Sequence, residues 1–241
     1  MLAEEEVKRE MEKMQTGESN EPIRLAVFDF DGTCISGNSP LLLVKYLNKR
    51  HMLKKSVVVK LAFWGLAYKL RLPQSEAWAR HLVFTAFEGK PVEETDQFLY
   101  QFYDEVIDPI FKPEIDECMR LHAADGDVVI VISATFEPIV VRAMEKHPFQ
   151  YQISTRMRTT PEGTYTSEVD GLPVQGEVKV SSVQSFADQT YGRNKWVLDH
   201  AYGDHHSDQY VLKAAQHAHA VSPDKPLRNM AHDNKWDVLD W

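Results

Sequence analysis

The chain has 241 residues, 43% hydrophobic and 26% charged. That balance excludes a wholly disordered or collagen-like protein and leaves room for one large domain or a core with an inserted module. Its 27 Lys and Arg against 36 Asp and Glu give a net charge of −9, which argues against a broad nucleic-acid-binding face. Two cysteines, Cys34 and Cys118, make no disulfide framework and fit a reducing, cytoplasmic compartment.

In chain order, residues 1–20 read as a charged N-terminal extension, with Glu4, Glu5, Glu6 and Glu10 where a secretory signal would be apolar. Residues 21–37 carry the apolar run Ile23 to Phe28, a buried parallel strand, followed by the polar loop Asp29-Phe30-Asp31-Gly32-Thr33. Residues 38–121 change to helical periodicity, and Pro73, Gly89-Lys90-Pro91 and Pro109 divide them into four or five helices, an all-helical insertion. Its most apolar part, Val57 to Leu72, is interrupted by Lys60, Lys69 and Arg71. A membrane helix needs about 20 apolar residues, so no transmembrane segment is expected.

Strand character returns at Asp127 to Ser133, with a helix expected from Glu137 to Lys146. Residues 150–175 read as short strands and turns, and Val178 to Phe186 as a helix. Lys195 to Asp199 is a third strand leading to Gly203-Asp204, and His217 to Ser222 a weaker fourth. Strands alternating with helices predict an α/β fold with a mainly parallel sheet and helices on both faces, residues 122–241 completing the core begun by 21–37.

Ligands of such sheets bind outside the carboxyl ends of the strands. Three expected strands end there in Asp29 and Asp31, in Ser133, and in Asp204 and Asp208. Two carboxylates one residue apart repel unless a cation or a shared proton intervenes, and a hard divalent ion with oxygen ligands, Mg2+, answers that need. Ser133 and the backbone beside it, at Ala134, offer an anion site before a helix, and Lys179 offers a point charge for a phosphate oxygen. One aspartate would attack phosphorus while the other protonates the leaving oxygen and then activates water. Taken singly, each piece has a blander reading: a turn for Asp-x-Asp-Gly, a helix cap for Ser133, a solvated lysine, an acidic helix start for Asp204 and Asp208.

These residues carry a resemblance. Val27-Phe28-Asp29-Phe30-Asp31-Gly32-Thr33, Ile130-Val131-Ile132-Ser133, Gly176-Glu177-Val178-Lys179 and Gly203-Asp204-His205-His206-Ser207-Asp208 resemble, in order, the four motifs of the haloacid dehalogenase superfamily, in its phosphoserine-phosphatase-like subfamily. The resemblance implies a three-layer Rossmann-like core with a helical cap over residues 38–121. It implies Asp29 as nucleophile and Asp31 as acid/base, with Ser133, Ala134 and Lys179 on the phosphate. Asp29, the Asp31 carbonyl and Asp204 would hold Mg2+, and Thr33 and Asp208 would support them. The implied activity is hydrolysis of a phosphomonoester through an aspartyl-phosphate, with a small phosphometabolite as partner.

One position departs from the pattern: Asn38 stands where phosphoserine phosphatases place the glutamate that reads the substrate's amino group, which argues against phosphoserine itself. Some relatives act on lipid phosphates, and the aromatic run Leu61 to Tyr68 beside Lys60 would then touch a membrane surface, although apolar spacing in a helical insertion more often means core. Transfer of the phosphoryl group to an alcohol is a further alternative. Arg71, Arg80 and His81 are candidates for the leaving-group side, His205 and His206 are expected to line the loop or face solvent, and His217 and His219 need no function.

Overall fold

Strand β1 (Ile23–Asp29) is buried from Leu25 onward, because it lies at the centre of a sheet covered on both sides. A computed structural model describes residues 21–69 and 76–241, so the expected extension at 1–20 and Arg71 lie outside the described residues. The sheet has six strands in the order β3-β2-β1-β6-β7-β8, all parallel. They are β1, β2 (Val128–Phe136), β3 (Tyr151–Thr155), β6 (Trp196–Gly203), β7 (His217–Val221) and β8 (Asp237–Leu239). The remaining strands, β4 (Met157–Thr159) and β5 (Tyr165–Val169), form a separate antiparallel hairpin.

Side chains alternate across the sheet as the pleat dictates. Ala26, Phe28, Val129 and Val131 join one core layer, and Leu25, Val27, Ile130 and Ile132 the other. Helices α5 (Pro113–Ala124) and α6 (Glu137–Met144) cover the first face through Ile115, Met119, Ile139 and Val140. Helices α7 (Glu177–Tyr191), α8 (Gln209–Ala214) and α9 (Lys225–Asn234) cover the second through Val183, Leu212 and Leu227. This is the expected three-layer α/β architecture.

Between β1 and α5 the described residues form helices α1 (Ser39–Lys49), α2 (Lys55–Lys69), α3 (Glu76–Phe84) and α4 (Val92–Phe102), then a π-helical turn at Tyr103–Ile107 and a 3-10 turn at Asp108–Ile110. The chain leaves and returns at one place: Ser36 N–H donates to the Ile110 carbonyl (2.8 Å) and Lys112 N–H to the Cys34 carbonyl (2.9 Å). The β4–β5 hairpin is tied to this helical segment, since Gly89 N–H donates to the Tyr165 carbonyl (2.8 Å) and the Tyr165 hydroxyl to Asp96 (2.7 Å). Among the described residues no helix is long and apolar enough to cross a membrane.

The sequence reading stops the third strand at Asp199, but β6 continues through the polar His200 to Gly203. It runs on because it sits between β1 and β7, which satisfy its backbone whatever its side chains. β1 is followed on one side by β2 and β3 and flanked on the other by β6, so the strand order reverses beside it. A crevice opens at the carboxyl ends of β1 and β6 for that topological reason.

Candidate active site

Asp29 ends β1 and Asp204 follows β6, so the reversal places them side by side. Carboxylate oxygens of Asp29, Asp204 and Asp208 lie within 4.8 Å of one another. The Lys179 ammonium, 4% exposed and in the first turn of α7, contacts Asp29 Oδ1 and donates to Asp208 Oδ1 at 2.7 Å. Asp208 Oδ2 in turn accepts from the His205 N–H (3.2 Å), which fixes the 3-10 turn His206–Asp208 as a capping box.

Gly32 makes this approach possible. Its φ of +83° is a left-handed conformation that glycine adopts freely, and a Cβ there would overlap the Asp204 carboxylate. Thr33 supports the same group, its hydroxyl donating to Asp204 Oδ1 at 3.3 Å.

Three carboxylates around one ammonium leave the cluster short of positive charge. Burial, followed by the Asp208 charge, pushes Asp204 from an ordinary value of 3.8 up to about 7, against the contacts from Asp29, Lys179 and Thr33. Burial also raises Asp29 well above the usual carboxylate range, with Asp208 and Asp204 adding to the rise and Lys179 opposing it. For Lys179, the Asp208 and Asp29 charges outweigh the desolvation that disfavours its ammonium, so its pKa rises. An all-oxygen donor set with excess negative charge fits a hard divalent cation of the magnesium kind.

Asp31 is held apart from that cluster. Its Oδ1 accepts from the Ser39 N–H (2.5 Å), and its Oδ2 from the Ser39 hydroxyl (3.1 Å) and the Thr135 hydroxyl (2.6 Å). Desolvation raises its pKa, and these three bonds limit the rise. Ser133 is buried at the carboxyl end of β2, where its hydroxyl accepts from the Thr135 N–H (3.0 Å), and the half-buried Ala134 follows it. Asp29, Asp204, Asp208, Lys179 and Thr33 are therefore joined directly. Asp31 and Ser133 are linked through Thr135, which no sequence motif singled out.

Lys112 was also missed. It is 7% exposed, its ammonium donates to the Gly32 carbonyl (2.6 Å), and burial lowers its pKa. Its position, 80 residues from Gly32, leaves no local signal. Ser39 did carry a signal, because Asn38-Ser39-Pro40 is a helix-start sequence. Asn38 is the N-cap of α1, an exposed residue whose Oδ1 accepts from the Leu41 N–H at 3.0 Å.

The other expectations sort as follows. Arg80 Nη2 donates to Gln175 Oε1 (2.9 Å) and His81 Nδ1 lies 2.8 Å from the Ser167 carbonyl, so both bridge from α3 to residues 167–175. His206 pairs with Asp224 at 2.9 Å and is half exposed, while the His205 side chain accepts from the Ser207 N–H. In the aromatic run, Leu61 is buried and Phe63 is 69% exposed. Cys34 is fully buried and donates to the Asp29 carbonyl (2.9 Å), a packing role.

The family model for haloacid dehalogenase-like hydrolases matches residues 26–213, which takes in all four motifs. The chain is 27% identical over 225 residues to a histidinol-phosphatase of Neisseria meningitidis, covering 90% of this chain and 98% of that protein. A protein of unknown function from Bordetella pertussis has the same fold, with a TM-score of 0.81 at 23% identity over 91% of this chain and 99% of its own. A phospho-aspartyl intermediate analogue of phosphoserine phosphatase shares the fold at a TM-score of 0.59 and 19% identity, over 92% and 93% of the two chains. The chain belongs to the haloacid dehalogenase-like hydrolases.

Proposed function

We propose that this hydrolase is a Mg2+-dependent phosphatase that cleaves a small phosphomonoester through a phosphorylated Asp29. The observation that carries the reading is the junction of Asp29, Asp204, Asp208 and Lys179 at one edge of the sheet, with Asp31 held separately by Ser39 and Thr135. Asp29 attacks phosphorus, the ester P–O bond breaks, and the leaving oxygen takes the proton that Asp31 holds. Asp31, now a carboxylate, removes a proton from water as the water attacks the phosphoryl group, returning Asp29 and releasing inorganic phosphate. Ser133, the backbone at Ala134 and Lys179 hold the phosphate oxygens. Asp29, Asp204 and the Asp31 carbonyl would hold Mg2+, which would supply charge neutralisation at the phosphoryl group. The described residues between Ser36 and Ile110, together with the β4–β5 hairpin tied to them, form the cap over the crevice, whereas 113–121, expected in the cap, belong to the core helix α5.

Asn38 spends its side-chain oxygen on the α1 N-terminus and brings no charge, so phosphoserine is disfavoured as substrate. A histidinol phosphate-like ester is a member of the remaining class, as the name of the Neisseria relative suggests. A second reading, a lipid phosphate at a membrane surface, draws on Val59 and Phe63, 54% and 69% exposed one turn apart on α2. The test is turnover of a panel of phosphomonoesters, with and without lysophospholipid phosphates and acceptor alcohols, in Mg2+ or EDTA. Phosphate release that requires Mg2+ and vanishes in Asp29→Asn is expected. Full turnover by Asp29→Asn would overturn the aspartyl-phosphate, and phosphorylated alcohol as main product would make the protein a transferase.

A further inference from the structure

The opposite end of the sheet carries a second polar cluster that the proposed hydrolysis does not use. Between β1 and β6 the register slips: Leu25 faces Leu198 but Ala26 faces His200, so Asp199 is an extra residue, a bulge. Bulges are rare in parallel pairs, and they re-aim side chains. Without one, Asp199 and His200 would point to opposite faces. Here both reach His217, the cross-strand partner of His200 on β7. His217 Nε2 lies 3.7 Å from Asp199 Oδ1 and His200 Nε2 lies 3.9 Å from Asp199 Oδ2, and ligand atoms of all three residues fall within 4.8 Å of one another.

We propose that Asp199, His200 and His217 bind a borderline transition-metal cation of the Zn2+ type, at a site separate from the carboxyl-edge cluster. Tetrahedral zinc with N and O ligands near 2.1 Å spaces its ligand atoms about 3.4 Å apart, so side chains whose ligand atoms lie within 4.8 Å need to close by at most about 1.4 Å. Mixed imidazole and carboxylate ligation selects such metals over Mg2+, whose preference is for oxygen alone. His217, with its side chain 60% exposed, gives the ion a path from solvent and leaves a fourth position for water.

The surrounding groups prepare His200 for this role. His200 Nδ1 is 2.9 Å from His219 Nε2, and His219 Nδ1 is 3.2 Å from Asp237. With Asp237 accepting from His219, and His219 from His200, the second nitrogen of His200 is left unprotonated toward Asp199 and His217. This is the outer-shell arrangement that orients metal-binding histidines. His122 is not a ligand in this arrangement, because its nitrogens are engaged by Asp127 and the Tyr202 hydroxyl, each at 2.8 Å. Arg24 Nε, 3.9 Å from Asp199, is paired more closely with Asp127 at 2.7 Å. Along β6 the site stands about 13 Å from Asp204, from four residues of roughly 3.3 Å each.

The test is calorimetric titration of the full chain with Zn2+ in excess Mg2+, with Co2+ absorption as a second readout. One equivalent of Zn2+ is expected, retained in Asp204→Asn, together with the visible bands of tetrahedral Co2+. His217→Gln, an exposed change that leaves the fold intact, is expected to weaken binding at least about 100-fold, and Asp237→Asn about 10–100-fold through His219. Equal affinity in wild type and His217→Gln, loss of the equivalent in Asp204→Asn alone, or no Zn2+ uptake would each overturn the proposal.

Discussion

Strand β6 ends in two different kinds of polar cluster, and both are built from residues far apart in the chain. At its carboxyl end, aspartates are buried around one lysine, with oxygen as the only donor atom they offer. At the bulge near its amino end, imidazoles stack on one another, the His200 and His217 rings 4.9 Å apart and those of His200 and His219 5.2 Å apart. The difference shows how burial is managed. Excess negative charge in a dry site needs a hard cation, whereas the half-buried imidazoles of His200 and His219 are accommodated by remaining neutral.

The strongest way to break this comparison is to remove the lysine that the acidic cluster surrounds. Lys179→Met leaves Asp29 and Asp208 without their partner and is expected to cost about 3–5 kcal/mol, read by urea unfolding near pH 8, with part recovered by Mg2+. His217→Gln at the other end is expected to stay within about 0.5 kcal/mol. A Lys179→Met loss as small as that would show that the acidic cluster is not held by charge.

A pH series sharpens the same contrast. Asp204 is raised from 3.8 to about 7, so the folded protein holds a proton that the unfolded chain has released. Its contribution is full below pH 4 and is lost as pH rises through 7. His219 is lowered from 6.5 to about 4, so its contribution is present above pH 6.5 and lost as pH falls toward 4. The two slopes oppose each other between pH 4 and 6.5. Saturating Mg2+ is expected to remove the Asp204 penalty and raise Tm more at pH 7.5 than at pH 5. An equal rise at both values would contradict the raised Asp204.

A smaller loss than that of Lys179→Met is expected of Asn38→Ala, which deletes the α1 cap and costs about 1 kcal/mol. Because Ser39 of the same helix start holds Asp31, turnover is expected to fall modestly while Zn2+ affinity does not change. A drop in Zn2+ affinity would mean that the two ends of the sheet are coupled.

What the sequence revealed follows from how far each interaction reaches. β1 and β2 are apolar because both faces are covered, so their runs stand out, and the acids just past β1 and β6 could be placed at one edge by topology alone. β3 and β8 are edge strands: residues 150–175 read as short strands and turns, which takes in β3, whereas Asp237–Leu239, exposed or half-exposed throughout, gave no strand signal. The Lys112 contact with Gly32 and the Thr135 contact with Asp31 span 80 and 104 residues and follow no period. The bulge at Asp199 is likewise set by the neighbouring strand, and a polar pair there reads as the end of a strand.

The side-by-side pairing of Cys34–Ser36 with Ile110–Lys112 means that the stretch between them is threaded through a single neck. Its length can change without re-registering any strand of the six-stranded sheet, all of which lie outside it. Lys112 stands at the rim of that neck with its ammonium on Gly32, so a shift of the neck would be felt first at the loop that lets Asp204 come close.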